Sequence, residues 1–579
     1  MMFRATAAAC LVVFATGLSS AQEIRTFTTQ APPGGVPMMM PPRDANAKPG
    51  TAVIRGRVVA ADTGQPLRKA AVRAISPDAR ENRSVSTDAD GKFELKELPA
   101  GRYNVSVSKG SYVSLSYGQT RPFEAGKPLE IAEGQTVEKV DFTLPRGGIL
   151  TGRILDEFGE AIADVAVSPM RYQFVQGRRQ LTPAGRVAMT NDIGEYRIFG
   201  LAPGQYFLSA TNRGSGAGGP GAIIINTMMG GTDDRSGYAP TYYPGTPNVA
   251  EAQRITVGLG QTIAEMNMSL VPTRTARVSG TAVDSTGKPL GGAIIMMMQR
   301  TGASISGMST GQVKPDGSFQ LGGVSPGEYM VQAITPNAAF GDTAEWASAQ
   351  ITVAGEDLTG VQLVGQKSVA VTGRVLVDPA LTKSLPPSSL RLMAIPARPE
   401  DMMAGIGAGK VNDDYSFEVK ARPGLALIRL PQLPMGFSLK AVRHSASDVT
   451  DSGLEIRPSE EISGVEVEIT NRVTELSGAV TNARSEPVRD YSVVVFARER
   501  EKWGSQSRFF QTGRPDQDGR YKLRGLPPGE YYAVALDYLE PGEATDPEFL
   551  DRVKARATTL SLNEGETKVL DLKIQSPTS

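Results

Sequence analysis

Histidine and cysteine, two residue types often used in acid–base, metal and nucleophilic chemistry, are scarce in this chain of 579 residues. It has one histidine, His444, and one cysteine, Cys10. A histidine-based zinc site or a Ser-His-Asp triad would have to use His444, which we interpret as a solvated or hydrogen-bonded loop residue. A pair of carboxylates could act without histidine, but nothing singles out two of the 61 acidic residues.

Two turns resemble the start of a calcium loop. Residues 88–91 are Asp-Ala-Asp-Gly and residues 516–519 are Asp-Gln-Asp-Gly, and alternating carboxylates before a glycine occur in calcium sites. The bidentate acid that such loops carry further along cannot be placed here. Turn chemistry also accounts for the corresponding Lys-Pro-Asp-Gly at 314–317, which lacks the first aspartate. We therefore predict turns, with no metal and no other cofactor.

Three tyrosines are the best candidates for contact with a ligand. They are Tyr238, Tyr242 and Tyr243, at the end of a glycine-rich insertion at 214–243. Long loops on rigid scaffolds often carry function, and rings with polar tips can stack on a sugar or a peptide. Single exposed aromatic residues are common, however, which favours a core or turn role over ligand stacking.

The element that must position these residues is a repeated hairpin, best preserved at 518–531. Asp-Gly at 518–519 predicts a turn whose glycine takes a positive φ, and Tyr521 and Leu523 then alternate onto one face of a strand. Pro528 and Gly529 predict a type II turn, in which the glycine occupies the position with positive φ. Tyr531 opens the returning strand.

The hairpin recurs upstream with a fixed internal spacing. In the four well-preserved copies the two glycines are separated by the same interval, which fixes the strand length that hairpin register requires. The members are Gly91, Gly101 and Tyr103; Gly194, Gly204 and Tyr206; Gly317, Gly327 and Tyr329; and Gly519, Gly529 and Tyr531. A fifth, worn copy has Tyr415 in place of the first glycine and Ala426 in place of the tyrosine.

The repeats predict an array of similar domains of about 100 residues each. Every block opens on a strand that contains a glycine, at 56, 152, 280, 373 and 478. We number the predicted ranges module 1 (51–145), module 2 (146–272), module 3 (273–366), the degenerate module 4 (367–471) and module 5 (472–579).

Composition and turns favour an all-β fold, with 40 prolines and 63 glycines but few aromatic residues. We predict five tandem antiparallel β-sandwiches, immunoglobulin-like or transthyretin-like, in an extended array. Alternating apolar positions of two facing sheets would form each core. The repeated tyrosine is expected there, with its hydroxyl tied to a backbone group as in a tyrosine corner.

The first 50 residues are predicted to lie outside the modules. Arg4 precedes an apolar run and small residues follow it, so we interpret 1–21 as a signal peptide. Residues 22–50 are rich in proline and methionine and predict a disordered linker. Cys10 lies inside the signal, which leaves the exported chain without disulfides, and no later segment is long enough to span a membrane.

The modules resemble the carboxypeptidase regulatory-like domain family, transthyretin-like sandwiches that occur in tandem in bacterial envelope and secreted proteins. The resemblance rests on the hairpin, on Gly-x-Val or Gly-x-Ile in the first strand (56–58, 152–154, 373–375) and on a Gly-x-Pro turn (64–66, 287–289). It implies an accessory, non-catalytic module in a fold group that includes carbohydrate-binding domains. The related collagen-adhesin B-type repeat forms a Lys–Asn crosslink from its first strand. The first strands here carry arginines instead, so no crosslink is predicted.

Three functional hypotheses follow. The first is a non-catalytic exported binding or scaffold protein of the bacterial cell envelope, located in the periplasm, at the cell surface or in the medium. Its partner would be a polysaccharide or another envelope or surface protein. Nucleic acid and anionic membrane are not expected, because 61 basic and 61 acidic residues balance. The second hypothesis is carbohydrate binding through the module 2 tyrosines, and the third, least supported, is an enzyme with an unrecognised carboxylate site.

Overall fold

The fold is all-β, with 54% of the structure in strands and 5% in helices, as the sequence predicted. The computed structural model describes residues 49–77, 79–175, 177–212, 236–301, 304–335, 345–397, 406–431, 433–504 and 506–575. The predicted signal peptide, nearly all of the predicted linker and most of the 214–243 insertion lie outside these residues. No helix in the described part of the chain is long and apolar enough to cross a membrane.

Module 1 consists of two facing sheets. Its strands are β1 (Ala52–Ala60), β2 (Ala71–Ser76), β3 (Glu81–Ser86), β4 (Lys92–Leu98), β5 (Gly101–Ser108), β6 (Leu115–Ser116), β7 (Leu129–Ile131), β8 (Thr136–Val137) and β9 (Phe142–Leu144). β1 pairs with β4, β8 and β9, while the other sheet has the order β3-β2-β5-β6, with β7 also on β5. Alternating residues such as Ile54 and Val58 on β1 and Val105 and Val107 on β5 are buried between the sheets.

Module 2 repeats this arrangement. Its strands are β10 (Gly148–Leu155), β11 (Val165–Val175), β12 (Arg178–Pro183), β13 (Ala188–Met189), β14 (Glu195–Leu201), β15 (Gly204–Asn212), β16 (Ser236–Tyr238), β17 (Thr241–Tyr242), β18 (Ile255–Val257), β19 (Thr262–Ile263), β20 (Met268–Ser269) and β21 (Pro272–Arg274). In one sheet β10 pairs with β14, β19 and β20. The facing sheet has the order β12-β11-β15-β17, with β13 also paired to β11 and β18 to β15. A separate two-stranded sheet pairs β16 with β21.

In modules 3 and 4 the strands of each module are joined into one continuous sheet. Module 3 contains β22 (Ala276–Val283), β23 (Ile294–Thr301), β24 (Ser304–Gln312), β25 (Ser318–Val324), β26 (Gly327–Ile334), β27 (Glu345–Val353) and β28 (Leu358–Lys367), in the order β24-β23-β26-β27-β28-β22-β25. Module 4 contains β29 (Val369–Leu376), β30 (Arg391–Pro396), β31 (Gly407–Val411), β32 (Ser416–Ala421), β33 (Gly424–Arg429), β34 (Ser438–His444), β35 (Ser447–Asp448), β36 (Leu454–Ile456) and β37 (Ile462–Thr470), in the order β35-β34-β37-β29-β32-β31-β30-β33-β36.

Module 5 adds a helix to the strands. The strands are β38 (Glu475–Thr481), β39 (Pro487–Val488), β40 (Ser492–Ala497), β41 (Phe510–Gly513), β42 (Arg520–Arg524), β43 (Gly529–Leu536), β44 (Thr558–Leu562), β45 (Thr567–Val569) and β46 (Leu572–Gln575). The central path is β39-β38-β46-β43-β40-β41, with β42 and β45 on β38 and β44 on β43. Helix α1 (Pro547–Val553) begins after Asp546, whose side chain accepts from the N–H of Glu548. Its buried residues pack in a second apolar cluster with Val494 and Phe496 of β40.

Short 3₁₀ turns complete the described elements. They span Val249–Glu251, Pro379–Leu381, Pro387–Ser389, Arg500–Lys502, Glu543–Thr545 and Lys554–Arg556.

The closing strands depart from the predicted antiparallel pattern. In every module they run parallel to the opening strand. The parallel pairs are β8 and β9 with β1, β19 and β20 with β10, β28 with β22, β37 with β29, and β45 and β46 with β38. Hairpins enforce antiparallel pairing, but the first and last strands of a module are connected through all the others. That long crossover leaves the parallel direction open.

The predicted extended array is wrong, because module 5 contacts modules 1 and 2 as well as module 4. Arg514 of module 5 donates to Glu124 of module 1, the N–H of Gly177 in module 2 donates to Thr545, and Arg508 pairs with Asp451 of module 4. Glycine and proline periodicity determines the turns inside a module. The contacts between modules depend on single surface residues that follow no period.

Candidate functional site

The repeated tyrosines lie in the module cores. Tyr103, Tyr206 and Tyr531 are fully buried and Tyr329 is 6% exposed. Each hydroxyl donates to the backbone carbonyl four residues earlier: Pro99 (2.8 Å), Ala202 (2.7 Å), Ser325 (2.8 Å) and Pro527 (2.6 Å). Burial raises the pKa of both Tyr206 and Tyr329 to about 12, because the phenolate would lose its solvation. These side chains are therefore occupied in the fold and do not face a ligand.

The first glycine of each hairpin has the positive φ that the turn needs. The angle is +73° at Gly91, +71° at Gly194, +85° at Gly317 and +80° at Gly519. In the worn copy Tyr415 adopts +64° despite its side chain. The turn conformation is therefore retained in module 4 although its glycine is not.

The second glycine does not occupy the positive-φ position of a type II turn, so that prediction is wrong. Gly101, Gly327 and Gly529 have φ of +159° and begin strands. The left-handed residue lies four positions earlier: Glu97 (+56°), Gly200 (+77°), Gly323 (+68°) and Gly525 (+80°). In modules 1 to 3 the pairing with the first strand shifts register there, which places this residue in a β-bulge.

The glycine of each opening strand lies directly against the closing segment. A Cβ on any of these glycines would overlap a backbone carbonyl oxygen of the closing segment. The distances would be 2.0 Å from Gly56 to Val140, 2.2 Å from Gly152 to Met266, 1.9 Å from Gly280 to Val361 and 2.0 Å from Gly478 to Leu570, and Gly373 is equally close to Val465. Only glycine permits this approach of two backbones.

The three candidate ligand tyrosines do not form one stacking surface. The Tyr238 hydroxyl donates to the Glu157 carboxylate at 2.9 Å. The backbone carbonyl of Tyr238 accepts from the Ser325 hydroxyl of module 3 at 3.2 Å. Burial, together with the Glu157 carboxylate, raises the pKa of Tyr238 to about 12. Tyr242 is paired within the sheet on β17, and Tyr243 packs against the module 2 core. Of these three tyrosines, Tyr238 alone contributes to the wall of the cavity at Glu157 and Arg274.

A cavity of about 270 Å³ lies beside Tyr238, where module 2 meets module 3. Its walls are formed by Glu157, Gly237, Tyr238, Pro272, Thr273 and Arg274. A carboxylate, a phenol and a guanidinium can together hydrogen-bond a small polar ligand. The volume is just below the range of about 300–1,000 Å³ for drug-sized ligands, so the cavity is a small one.

The aspartates that suggested calcium form hydrogen bonds within their own turns. One carboxylate oxygen of Asp88 accepts the backbone N–H groups two and four residues later, at 2.9 and 2.8 Å. Asp516 does the same at 2.9 and 2.9 Å. These Asx turns account for the aspartates by turn chemistry. Within the described ranges, no group of three or more His, Cys, Asp or Glu side chains is placed to hold a metal ion.

The histidine and the tryptophans also belong to the framework. His444 is not a loop residue, since it ends β34 and pairs with Ser447. Trp503 is 5% exposed and donates to the carbonyl of Ala497 at 2.6 Å. The guanidinium of Arg422 in module 4 lies 4.1 Å from the centre of the Trp346 ring in module 3. This cation–π contact joins two consecutive modules.

Module 1 combines the opening glycine, the bulged hairpin and the buried tyrosine in one compact sandwich. Residues 53–145 match the carboxypeptidase regulatory-like domain family. This confirms the predicted resemblance for that range.

Similarity of the chain to solved structures is low. A streptococcal ancillary pilin is 13% identical, with 54% of this chain and 99% of that chain covered and a TM-score of 0.20. Two B repeat units of the collagen-binding protein of Staphylococcus aureus are 10% identical (72% and 99% covered, TM-score 0.13). 3-Chlorocatechol 1,2-dioxygenase of Rhodococcus opacus is 19% identical (13% and 44% covered, TM-score 0.11). Scores this low carry no argument about function, and no curated protein matches the chain.

A charged loop of module 1 binds module 5. We call residues 119–130 the clasp. The Glu124 carboxylate accepts from Arg514 at 2.6 Å, and these side chains are only 2% and 6% exposed. Arg514 also donates to Asp490 at 2.6 Å, and the Thr120 hydroxyl donates to Asp490 at 2.7 Å. Lys127 lies 3.6 Å from Asp490, which completes a group of two acids and two bases.

The electrostatics of this group favour the ionised form of Asp490. Burial alone would raise the pKa of Asp490, but the Thr120 hydroxyl and the charges of Arg514 and Lys127 outweigh it and hold the pKa below its ordinary value. Glu124 and Arg514 form a charge-assisted hydrogen bond away from water. Removing one partner of such a pair strongly destabilises the folded state, because the other charge is left buried and unpaired.

The other side of the clasp extends the contact to module 2. Arg121 donates to the carbonyl of Asp537 at 3.0 Å and lies 5.3 Å from the centre of the Tyr538 ring. Phe123 packs under the guanidinium of Arg171 in module 2 at 3.6 Å. Arg171 in turn lies 3.7 Å from Glu540 of module 5. Three modules therefore meet at the clasp. The sequence gives no signal for this contact, because 119–130 has the composition of an ordinary polar loop.

Proposed function

We propose that this is a non-catalytic, exported binding or scaffold protein of the bacterial envelope or surface, built from five sandwich modules with the bounds given above. The closure of the module array by the clasp carries the proposal. Domains in one chain move relative to each other by default unless their interface is extensive. Here the last module is held against the first by a buried ion pair, and against the second by a hydrogen bond and a partly buried ion pair. The outer faces of several modules therefore keep fixed relative positions, as a scaffold requires.

The use of the repeated residues supports a non-catalytic role. The tyrosine hydroxyls donate to backbone carbonyls, the turn aspartates accept backbone N–H groups, and the opening glycines make room for the closing strand. What repeats between modules thus serves folding. The division into five units is supported by the buried apolar clusters, whose buried members each stay within one predicted range.

The proposed ligand is a polysaccharide or another envelope protein, reached after export directed by residues 1–21. Purified protein should bind, saturably, either soluble envelope polysaccharides on a glycan array or solubilised envelope proteins immobilised on a sensor surface. It should not turn over chromogenic glycoside, ester or peptide substrates. Hydrolysis that copurifies with the protein and survives metal chelators would contradict the proposal.

Carbohydrate binding at the Tyr238 cavity is the second candidate, and the cavity itself favours it. Tyr238→Phe keeps the ring and removes the hydroxyl, so the affinity for a bound sugar should fall roughly fivefold if that hydroxyl contributes about 1 kcal/mol. Tyr242→Phe is the matched control, because Tyr242 is paired in β17 away from the cavity walls. Equal affinity for the Tyr238→Phe and Tyr242→Phe variants would exclude this cavity as the sugar site.

A further inference from the structure

The clasp brings together two faces of one chain that are far apart in sequence. One face is the clasp itself, at 119–130. The other, which we call the module 5 face, comprises 489–490, 514–517 and 537–540. Besides the buried charges, backbone and amide groups pair across it. Lys127 donates to the carbonyl of Arg489 at 2.6 Å, and the Gln517 amide both donates to the carbonyl and accepts from the N–H of Glu130, at 3.2 Å each.

The two faces are complementary in charge, and each loses ion pairs when they separate. Each face carries both signs of charge, and the acid on one meets a base on the other: Glu124 with Arg514, and Asp490 with Lys127. Opening would take Arg514 away from the buried Glu124 carboxylate and would leave Arg514 with Asp490 alone of its two carboxylate partners. A buried charge that loses a partner is destabilised, which favours a surface that restores the pairing.

We propose that this interface is exchangeable: a chain whose own pairing is broken associates with a second copy through the same two faces. A second copy is the fitting partner because the surface that covers the clasp here belongs to this same chain, and every copy carries both faces. Reciprocal exchange produces a closed dimer with two identical interfaces, the geometry of a domain swap. The inference does not depend on which ligand the modules bind.

The closed monomer dominates in the intact chain because the pairing is intramolecular. Two faces tethered in one chain meet at an effective concentration in the millimolar range or above, well beyond that of another molecule in dilute solution. Exchange therefore becomes visible only when pairing within the chain is selectively weakened. Charge reversal can do this while leaving complementary pairs available between different chains.

The test uses the full chain with Glu124→Arg or Arg514→Glu. Each variant alone sets like charges against each other within the chain and between identical copies, so each should be an open monomer with a larger hydrodynamic radius. In an equimolar mixture the two introduced charges meet as one pair, and the unchanged Glu124 and Arg514 of the two chains meet as the other. Light scattering after gel filtration should then give twice the monomer mass. The double variant Glu124→Arg/Arg514→Glu is the control and should return to a compact monomer.

Two results would overturn the proposal. One is a mixture that stays monomeric although both variants retain the strand content of the parent by circular dichroism. The other is a single variant that keeps the compact radius of the parent, because the ion pair then does not hold the interface.

A second experiment avoids charge reversal in case those variants fold poorly. In a Cys10→Ser background, Thr120→Cys and Asp490→Cys chains are unfolded together, refolded and oxidised. A covalent dimer that contains one chain of each type supports exchange, because these residues contact each other across the interface. The Thr120→Cys/Asp490→Cys double variant should instead crosslink within one chain. If only that intramolecular link forms, the interface does not exchange.

Discussion

The hydroxyl of Tyr531 donates to the backbone carbonyl of Pro527, four residues before it, at 2.6 Å. The ring is fully buried in the module 5 core, and the acceptor lies in the connection that precedes its strand. One side chain thus fills the core and fixes the connection between β42 and β43. The same relation recurs in modules 1, 2 and 3.

We expect Tyr531→Phe to lower the free energy of unfolding of module 5 by about 1 kcal/mol, because one buried hydrogen bond is lost. Tyr531→Ala should cost about 3–5 kcal/mol, since it also leaves a cavity. Urea denaturation followed by the fluorescence of Trp503, which lies in module 5, measures both. Tyr532→Phe, on the opposite face of the same strand, is the control and should change little. Equal costs for Phe and Ala at position 531 would refute the core role of the ring.

Alkaline pH should unfold modules 2 and 3 through their buried tyrosines. The pKa of Tyr206 and of Tyr329 rises from 10.0 to about 12 in the folded protein. Because the folded pKa is the higher one, the stabilisation is complete below pH 10 and is lost as the pH rises through about 12. Tyrosinate absorbance and circular dichroism along an alkaline titration report this. Tyr329→Phe should reduce the loss in module 3, whereas titration of these tyrosines near pH 10 with the sheets intact would contradict the prediction.

The bulge position should tolerate only glycine at low cost in module 3. Gly322 and Gly323 both have open space where a Cβ would lie, but Gly323 alone has a left-handed φ, of +68°. Gly323→Ala should therefore lower the free energy of unfolding by about 1–2 kcal/mol. The matched Gly322→Ala should be nearly neutral or slightly stabilising. Thermal denaturation of both variants checks this, and equal melting temperatures would show that the backbone conformation is not the determinant.

Calcium should leave the melting temperature of the protein unchanged. The carboxylate of Asp516 is engaged by the backbone N–H groups of Asp518 and Arg520. Asp516→Ala should lower the free energy of unfolding by about 1 kcal/mol through loss of these bonds. Asp516→Asn keeps an acceptor oxygen and should cost less. A rise in melting temperature on adding calcium, abolished by Asp516→Asn, would instead establish a metal site.

Local features of the modules could be predicted from the sequence because local chemistry determines them. The turn at Gly519 needs a positive φ, the alternation of Tyr521 and Leu523 gives one buried face, and Tyr531 was expected in the core with its hydroxyl on the backbone. The structure places all four residues accordingly. The bulge was not predicted, although Gly200 and Gly323 carry a signal for it. In module 1 the same position is Glu97, which hides the pattern.

Long-range contacts could not be predicted. Glu124 and Arg514 are separated by 390 positions, and neither belongs to the repeat. A single sequence holds no sign that a particular acid in one polar loop meets a particular arginine in another. The pairing of Tyr238 with Glu157, in distant parts of module 2, escaped prediction for the same reason. The relative placement of modules, and the one cavity beside a candidate tyrosine, both depend on contacts of this kind.

The direct contact between modules 1 and 5 also determines how the chain responds to mechanical tension. A force applied between residues 51 and 575 would load the Glu124–Arg514 contact and its neighbours first. The connections between successive modules would stay slack until that contact separated. The distance between the two ends would then increase in one step before any sandwich unfolded. A chain built in this way can extend under force without losing its folded modules.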